Sequence, residues 1–332
     1  MVRRVTLVFL GDLMLGRGVS QQLHRRAPEW FWGDVLPILH QADAVFANLE
    51  GPISTAQLRQ SWKMFHFRAA PTAVRILQCA NVRFVCLANN HMLDYGERGL
   101  VDTMQTLDVA DIRHAGAGRC AAEAAAPTIL DVSGLKIGVI AATDNMRPFA
   151  ARSDRPGTNF IEIGDSPANR EWIDRSVNGL KEAGVGLIVL SLHWGPNMRT
   201  SPSSRFRRFA HVAIERGIDV IHGHSAHVVQ AVERHQSGII LYDLGNFIDD
   251  YWKFPFRKTT WTFVFLMDIE DGRPTRLRLV PVETHSAPLG LATGNTSKAI
   301  KKRMISLCAA FGTSMIDTPQ ALEVPLGQAI AP

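Results

Sequence analysis

Short runs of nearly unbroken apolar residues recur along the chain, separated by stretches whose apolar positions repeat every three or four residues. The first pattern predicts buried strands and the second amphipathic helices. Strands are expected over residues 5–10, 44–47, 83–88, 185–192 and 218–221. Helices are expected over 34–40, 71–79 with Pro71 as an opening residue, 99–107, 167–183 behind Ser166 as a cap, 204–216 and 297–311. Two alternating pairs read as hairpins: 128–132 with 136–142 around Ser133-Gly134-Leu135, and 262–269 with 276–282 around a turn at 270–274. Further strands are expected at 228–233 and 238–242. Apolar strands interleaved with helices, plus later antiparallel pairs, predict an α/β fold with buried mixed sheets. No Pro/Gly/Ser-rich linker or internal repeat divides the chain, so residues 1–332 read as a single domain.

Composition narrows the class without changing this picture. With 46% hydrophobic and 20% charged residues, the 332-residue chain resembles an ordinary globular protein with ample core. A net charge of +5 favours an anionic small-molecule or peptide substrate and is too diffuse to argue for nucleic acid. Cys79, Cys86, Cys120 and Cys308 are scattered with no CxxC pair, which argues against a disulfide framework and for a reducing compartment. Arg3-Arg4 precedes an apolar run too short for a signal peptide, and no run is long enough for a membrane span. The expectation is a cytoplasmic protein.

Candidate chemistry appears where the apolar runs stop. They end at Asp12, at Glu50, at Asn90-His91, at His193 and at His224, with His227 three residues further on. In open α/β sheets, ligands bind beyond the carboxyl ends of the strands, where the loops converge. Carboxylate, amide and imidazole together form an oxygen/nitrogen donor set suited to a divalent ion such as Mn, Fe or Zn. Each residue alone has an ordinary reading. Asp12 could cap the next segment, Asn90 could fill a turn, and the histidines could be hydrogen-bonded core residues. Recurrence at five strand ends favours a metal centre.

The motifs in order are Gly11-Asp-Leu-Met-Leu-Gly-Arg17, Asn48-Leu-Glu-Gly-Pro52, Ala88-Asn-Asn-His91 with Asp94-Tyr-Gly96, Leu192-His-Trp-Gly195, Gly223-His-Ser-Ala-His-Val228 and Leu244-Gly-Asn-Phe247. This series resembles the CapA family, the poly-γ-glutamate capsule synthesis proteins of calcineurin-like metallophosphatase fold. The resemblance implies a four-layer sandwich, two packed mixed sheets flanked by helices. It implies Asp12 and His227 on one metal, Glu50 bridging, and Asn90, His193 and His224 on a second. His91 would be the catalytic histidine that protonates a leaving group. Phosphatases of this fold carry Asp-x-His at the first motif, and here Met14 replaces that histidine, which weakens the first metal position. His222 could compensate, although a buried structural histidine is the simpler reading.

The activity this implies is metal-dependent hydrolysis of a phosphoester or a γ-glutamyl peptide or amide bond. Alternatives are a metal-dependent Cα epimerase acting on peptides and a non-catalytic accessory protein in capsule synthesis. Arg17 is a candidate for binding an anionic substrate group. Lys63 and Arg68 suggest a loop over the site. Residues 249–255 read as an aromatic turn or a lid, and His285 as a surface group or a further acid/base. Trp30 and Trp32 read as core, and Arg205-Phe-Arg-Arg208 and Lys301-Lys-Arg303 as solvated helix faces.

Overall fold

The computed structural model describes residues 3–251, 258–284 and 287–326. Two large sheets lie face to face. The first runs in the order Ile316–Asp317, Leu322–Pro325, Arg273–Glu283, Trp261–Glu270, Arg4–Leu13, Ala44–Leu49, Val82–Cys86 and Arg113–Ala115. The second runs Val232–His235, Gly238–Leu241, Val220–His224, Leu187–His193, Leu135–Thr143 and Thr128–Val132. Neighbours are parallel in the halves built from strand–helix units, as between Arg4–Leu13 and Ala44–Leu49, and antiparallel in the hairpins.

Alternation along each strand explains the layering. Val5, Leu7 and Phe9 face the second sheet and join one core with Val139, Leu190 and Ile221. Val8 and Leu10 face the other way and join a second core with Leu77, Leu100, Met104 and Leu107. Those four come from the helices Val74–Cys79 and Gly96–Val109. The outer face of the second sheet is covered by Pro167–Glu182 and Ser204–Glu215, through Ile173, Val177, Phe209 and Ile214. The result is helix, sheet, sheet, helix, the four-layer arrangement that the resemblance implies. Ser166 caps its helix as anticipated, its side chain accepting from the Asn169 amide at 3.2 Å.

Three expectations need correction. The strand anticipated at 228–233 begins only at Val232, because the Gln230 amide bonds to the Asp243 carbonyl and carries the chain across a loop first. Lys301 is not on a solvated face. It is buried, and its ammonium binds the Asp317 carboxylate and, at 2.7 Å, the Thr318 carbonyl. A short strand at Asn246–Ile248 was not anticipated; it adds parallel to Arg4–Leu13, pairing Asp12 with Asn246. Trp32 is core, with its indole donating to the Ile76 carbonyl at 2.8 Å, whereas Trp30 is half-buried beneath Arg26. His285 and residues 252–255 of the proposed aromatic turn lie outside the described residues.

Candidate metal centre

Register brings the strand ends together. Asp12 lies opposite Asn48 on one side and Asn246 on the other, and His224 lies opposite His193 in the second sheet. Two glycines permit the close approaches. A Cβ on Gly11 would sit 1.8 Å from the Gly245 carbonyl oxygen, and one on Gly223 would sit 2.1 Å from the Tyr242 carbonyl oxygen. Only a residue without a side chain lets these backbones touch.

Two groups of three converge on one carboxylate. Asp12, His193 and His224 form the first, and Asp12, Glu50 and His227 the second; within each, one ligand atom per residue lies within 4.8 Å of the others. Asp12 Oδ1 is 3.9 Å from Nδ1 of both His193 and His224, and Asp12 Oδ2 is 3.5 Å from His227 Nδ1. Asp12 is common to both groups, and Glu50, the bridge that the resemblance implies, belongs to the second. Asn90 lies beside the first group, its Oδ1 2.9 Å from His193 Nε2.

A chain of hydrogen bonds sets the proton positions. The Leu10 carbonyl can only accept, so His222 Nε2, 2.8 Å away, carries a proton. Burial holds the His222 pKa down to about 4, so its Nδ1 is bare and accepts from Ser191 Oγ at 3.1 Å. Ser191 Oγ then accepts from His224 Nε2 at 3.1 Å, and His224 Nδ1 is left with a lone pair facing the centre. His193 donates from Nε2 to Asn90, which bares its Nδ1 as well. The two bare nitrogens are 3.0 Å apart. His222 thus binds no ion in this geometry; it orients a residue that can. The buried structural reading of His222 holds, with that function added.

Electrostatics sorts the groups further. Burial pushes His193 down to about 3 and His224 well below the usual histidine value, the neutral form in which imidazole ligates metals. Burial also opposes charge on His227, but the Glu50 and Asp12 carboxylates outweigh it and raise its pKa to about 10. Burial and the Asp12 charge together raise Glu50 to about 8, while Asp12 is held low against burial by His227 and His193. Two carboxylates in one dry site have been driven apart, as like charges require.

The residues present fit a divalent cation. Asp12 Oδ2 and Glu50 Oε1 are buried with no hydrogen-bond partner. Two imidazole lone pairs 3.0 Å apart need a proton or a cation between them, and burial disfavours the proton. Sulfur is not offered: the Met14 side chain is buried, with its sulfur accepting from the Gly16 amide at 3.2 Å.

Supporting groups surround the centre. Asn48 Nδ2 donates to Asp12 Oδ1 at 2.8 Å and is itself held by Asn89. Asn246 Oδ1 accepts from His227 Nδ1 at 2.8 Å, and Tyr251 donates to Glu50 Oε2 at 2.8 Å. His91 does not join either group of three. Its Nδ1 lies 2.6 Å from Asp94 Oδ2, and the Phe67 ring lies over it with centroids 4.0 Å apart. Lys63 reaches in from its loop to bind the Asp94 carboxylate and, at 2.5 Å, the Asn90 carbonyl. Arg17 stands further out, half-exposed, pairing with Asp250 at 3.3 Å and lying 5.6 Å from the Phe67 centroid. Asn48, Asn89 and Asn246 had a visible signal, since each lies within one of the motifs. Lys63 and Tyr251 were legible only as members of segments, a loop over the site and an aromatic turn or lid; their partners were not, because the irregular loops that carry them show no periodicity.

A mixed α/β sandwich with a buried carboxylate–imidazole centre at its strand ends is the class that fold and site define. The chain belongs to the bacterial capsule synthesis protein family PGA_cap, whose model matches residues 6–251. It is 30% identical over 254 residues to the capsule biosynthesis protein CapA of Bacillus anthracis, covering 74% of this chain and 60% of that protein's length. It is 29% identical, over an alignment of 363 residues covering 96% of this chain and 95% of the relative, to a probable polyglutamine synthesis accessory protein of Mycobacterium tuberculosis. Among solved structures, the calcineurin-like phosphoesterase YfkN from Bacillus subtilis aligns with a TM-score of 0.43 at 10% identity, over 91% of this chain and 96% of that one. Among the described residues, no helix is long and apolar enough to cross a membrane.

Proposed function

We propose that this protein is a metal-dependent hydrolase acting on an anionic substrate, with γ-glutamyl amide bonds as the first class to test and phosphoesters as the second. The observation that carries this reading is the pair of three-residue groups sharing Asp12, with two orphaned carboxylate oxygens inside them. Asp12, His193 and His224, with Asn90 adjacent, would hold one divalent ion, and Asp12, Glu50 and His227 another. Such ions supply Lewis-acid charge that activates water and polarises the bond under attack. The amide preference rests on the family and on what the relatives are named for.

The chain's own residues divide the remaining work. Asp94 accepts from His91 Nδ1, which fixes the tautomer and leaves Nε2 to exchange a proton with a leaving group. Burial lowers the His91 pKa despite Asp94, so the ring is not locked as a cation. Phe67 covers one face of His91 and excludes water from it. Arg17 is the half-exposed cation on the approach and is assigned to an anionic substrate group.

The test is the metal content of protein purified without added metal, followed by turnover of a γ-glutamyl anilide and a phosphodiester with Mn, Fe or Zn. Bound metal with hydrolysis that falls at least about a hundredfold in His91→Ala supports the proposal. Absence of metal binding overturns it. The accessory role named for the mycobacterial relative is favoured instead if metal binds, neither substrate turns over, and His91→Ala still supports polymer synthesis. Exchange of deuterium into a recovered peptide without cleavage favours the epimerase.

A further inference from the structure

The segment 55–68, Thr-Ala-Gln-Leu-Arg-Gln-Ser-Trp-Lys-Met-Phe-His-Phe-Arg, is an irregular loop with two opposite faces. Its inner face is Lys63 and Phe67, both buried against Asp94 and His91. Its outer face carries Leu58, Trp62, Met64 and Phe65, exposed by 88%, 54%, 85% and 60%. Seven large hydrophobic residues are exposed among the described residues, and these four fall within eight positions; the other three, Val109, Ile129 and Ile316, are scattered. Single exposed hydrophobics need no explanation, but a cluster on one loop marks an interaction surface.

Charge selects the partner. Residues 55–68 contain no acidic residue, on a chain of net charge +5, and of their cations Lys63 is turned inward onto Asp94 while Arg59 is left on the outer face. Arg59 is exposed among the apolar side chains. A second copy of the chain meeting this loop face to face would bring like charges together, since a two-fold interface pairs a patch with itself. Closure as a lid is also disfavoured, because the face turned toward the centre is already occupied by Lys63 and Phe67. We propose that the loop tip inserts into the interface of an anionic lipid surface. Leu58, Met64 and Phe65 enter the acyl boundary, Trp62 sits at headgroup depth, and Arg59 meets the phosphates. This holds the loop that packs on His91 at the bilayer, and it does not depend on the hydrolase reading.

The experiment is sedimentation of the full chain with phosphatidylcholine vesicles and with mixed phosphatidylcholine–phosphatidylglycerol vesicles, at about 0.1 M and about 0.5 M salt. The variants are Leu58→Ser/Met64→Ser/Phe65→Ser and, separately, Arg59→Gln, with thermal melting to show that each remains folded. The wild type is expected to bind the anionic vesicles at both salts. The triple variant, with every charge retained, should bind roughly tenfold or more weakly at high salt, where bulk attraction is screened. Arg59→Gln should lose binding mainly at low salt. Wild-type protein that stays in the supernatant overturns the proposal, as does a triple variant that binds equally well. Concentration-dependent self-association of the wild type that the triple variant lacks also overturns it, making the occupant a second copy.

Discussion

His193 Nδ1 and His224 Nδ1 face each other at 3.0 Å across adjacent parallel strands, with Asp12 Oδ1 3.9 Å from each. A pair of buried lone pairs beside a carboxylate is stable only with something cationic among them. His224→Ala should therefore abolish binding at the first group while the protein still folds, with a lower melting temperature because the fully buried ring leaves a cavity. Equilibrium dialysis with Mn or Zn checks the first point and circular dichroism the second.

Asn48 touches no ion in the proposed arrangement, yet it holds Asp12 Oδ1 at 2.8 Å and is held in turn by Asn89. Groups that orient a ligand are commonly worth about 10–100-fold in metal affinity. Asn48→Ala should weaken metal binding by about that factor, with a small change in melting temperature. An unchanged dissociation constant by titration calorimetry would show that Asp12 is positioned by its strand alone.

Metal binding should release protons near neutral pH. Glu50, raised to about 8, and His227, raised by the carboxylates beside it, hold at least one proton between them at pH 7, which ligation must displace. Calorimetry in two buffers of different ionisation enthalpy should therefore report between about one and two protons released at pH 7. Affinity should rise as pH increases through 8. Glu50→Gln should lower the proton count by about one.

A separate pH dependence belongs to the fold. Asp219 accepts from the Ile188 amide at 2.7 Å, and burial raises its pKa to about 6 from the ordinary 3.8. Between those values the folded state holds a proton that the unfolded state has lost, so this group's contribution to stability falls as pH rises from about 4 to about 6. Asp219→Asn keeps the acceptor and removes the charge. It should be more stable than wild type at pH 7.5, by on the order of 2 kcal/mol, with the difference vanishing near pH 4. Chemical denaturation at both pH values measures this, and equal stability at pH 7.5 would refute it.

Lys63 binds the Asp94 carboxylate and the Asn90 carbonyl, tying an irregular loop to the residues around His91. Lys63→Met should leave metal affinity near wild type but reduce kcat by about tenfold or more if turnover is found, because Asp94 then loses a partner that fixes His91. Lys63→Arg should recover part of that loss. A drop in metal affinity with unchanged kcat would place Lys63 in holding Asn90 instead.

Most of the architecture is legible in the sequence. The apolar strands, the helix behind Ser166 and the hairpin around Gly134 follow from local periodicity, turn chemistry and capping, which act over a few residues. The donor residues were readable for the same reason, since each is the polar stop of an apolar run. Periodicity failed at 228–231, where an apolar stretch serves a buried loop, and at Lys301, whose partner Asp317 is sixteen positions away. It also placed His222, His224 and His227 together without distinguishing them.

By itself, then, the chain's sequence determined which segments become strands and which donors stand at their ends. Only the tertiary structure decided what each donor faces. Parallel register sets His224 beside His193 and Asp12 between Asn48 and Asn246, and brings Asp12 into both groups of candidate ligands. It also delivers Lys63 and Tyr251 from loops far away in the chain. The physical reason is that strand formation is local, whereas the pairing of bare nitrogens and orphaned carboxylate oxygens depends on side chains up to about two hundred residues apart and on the burial they share.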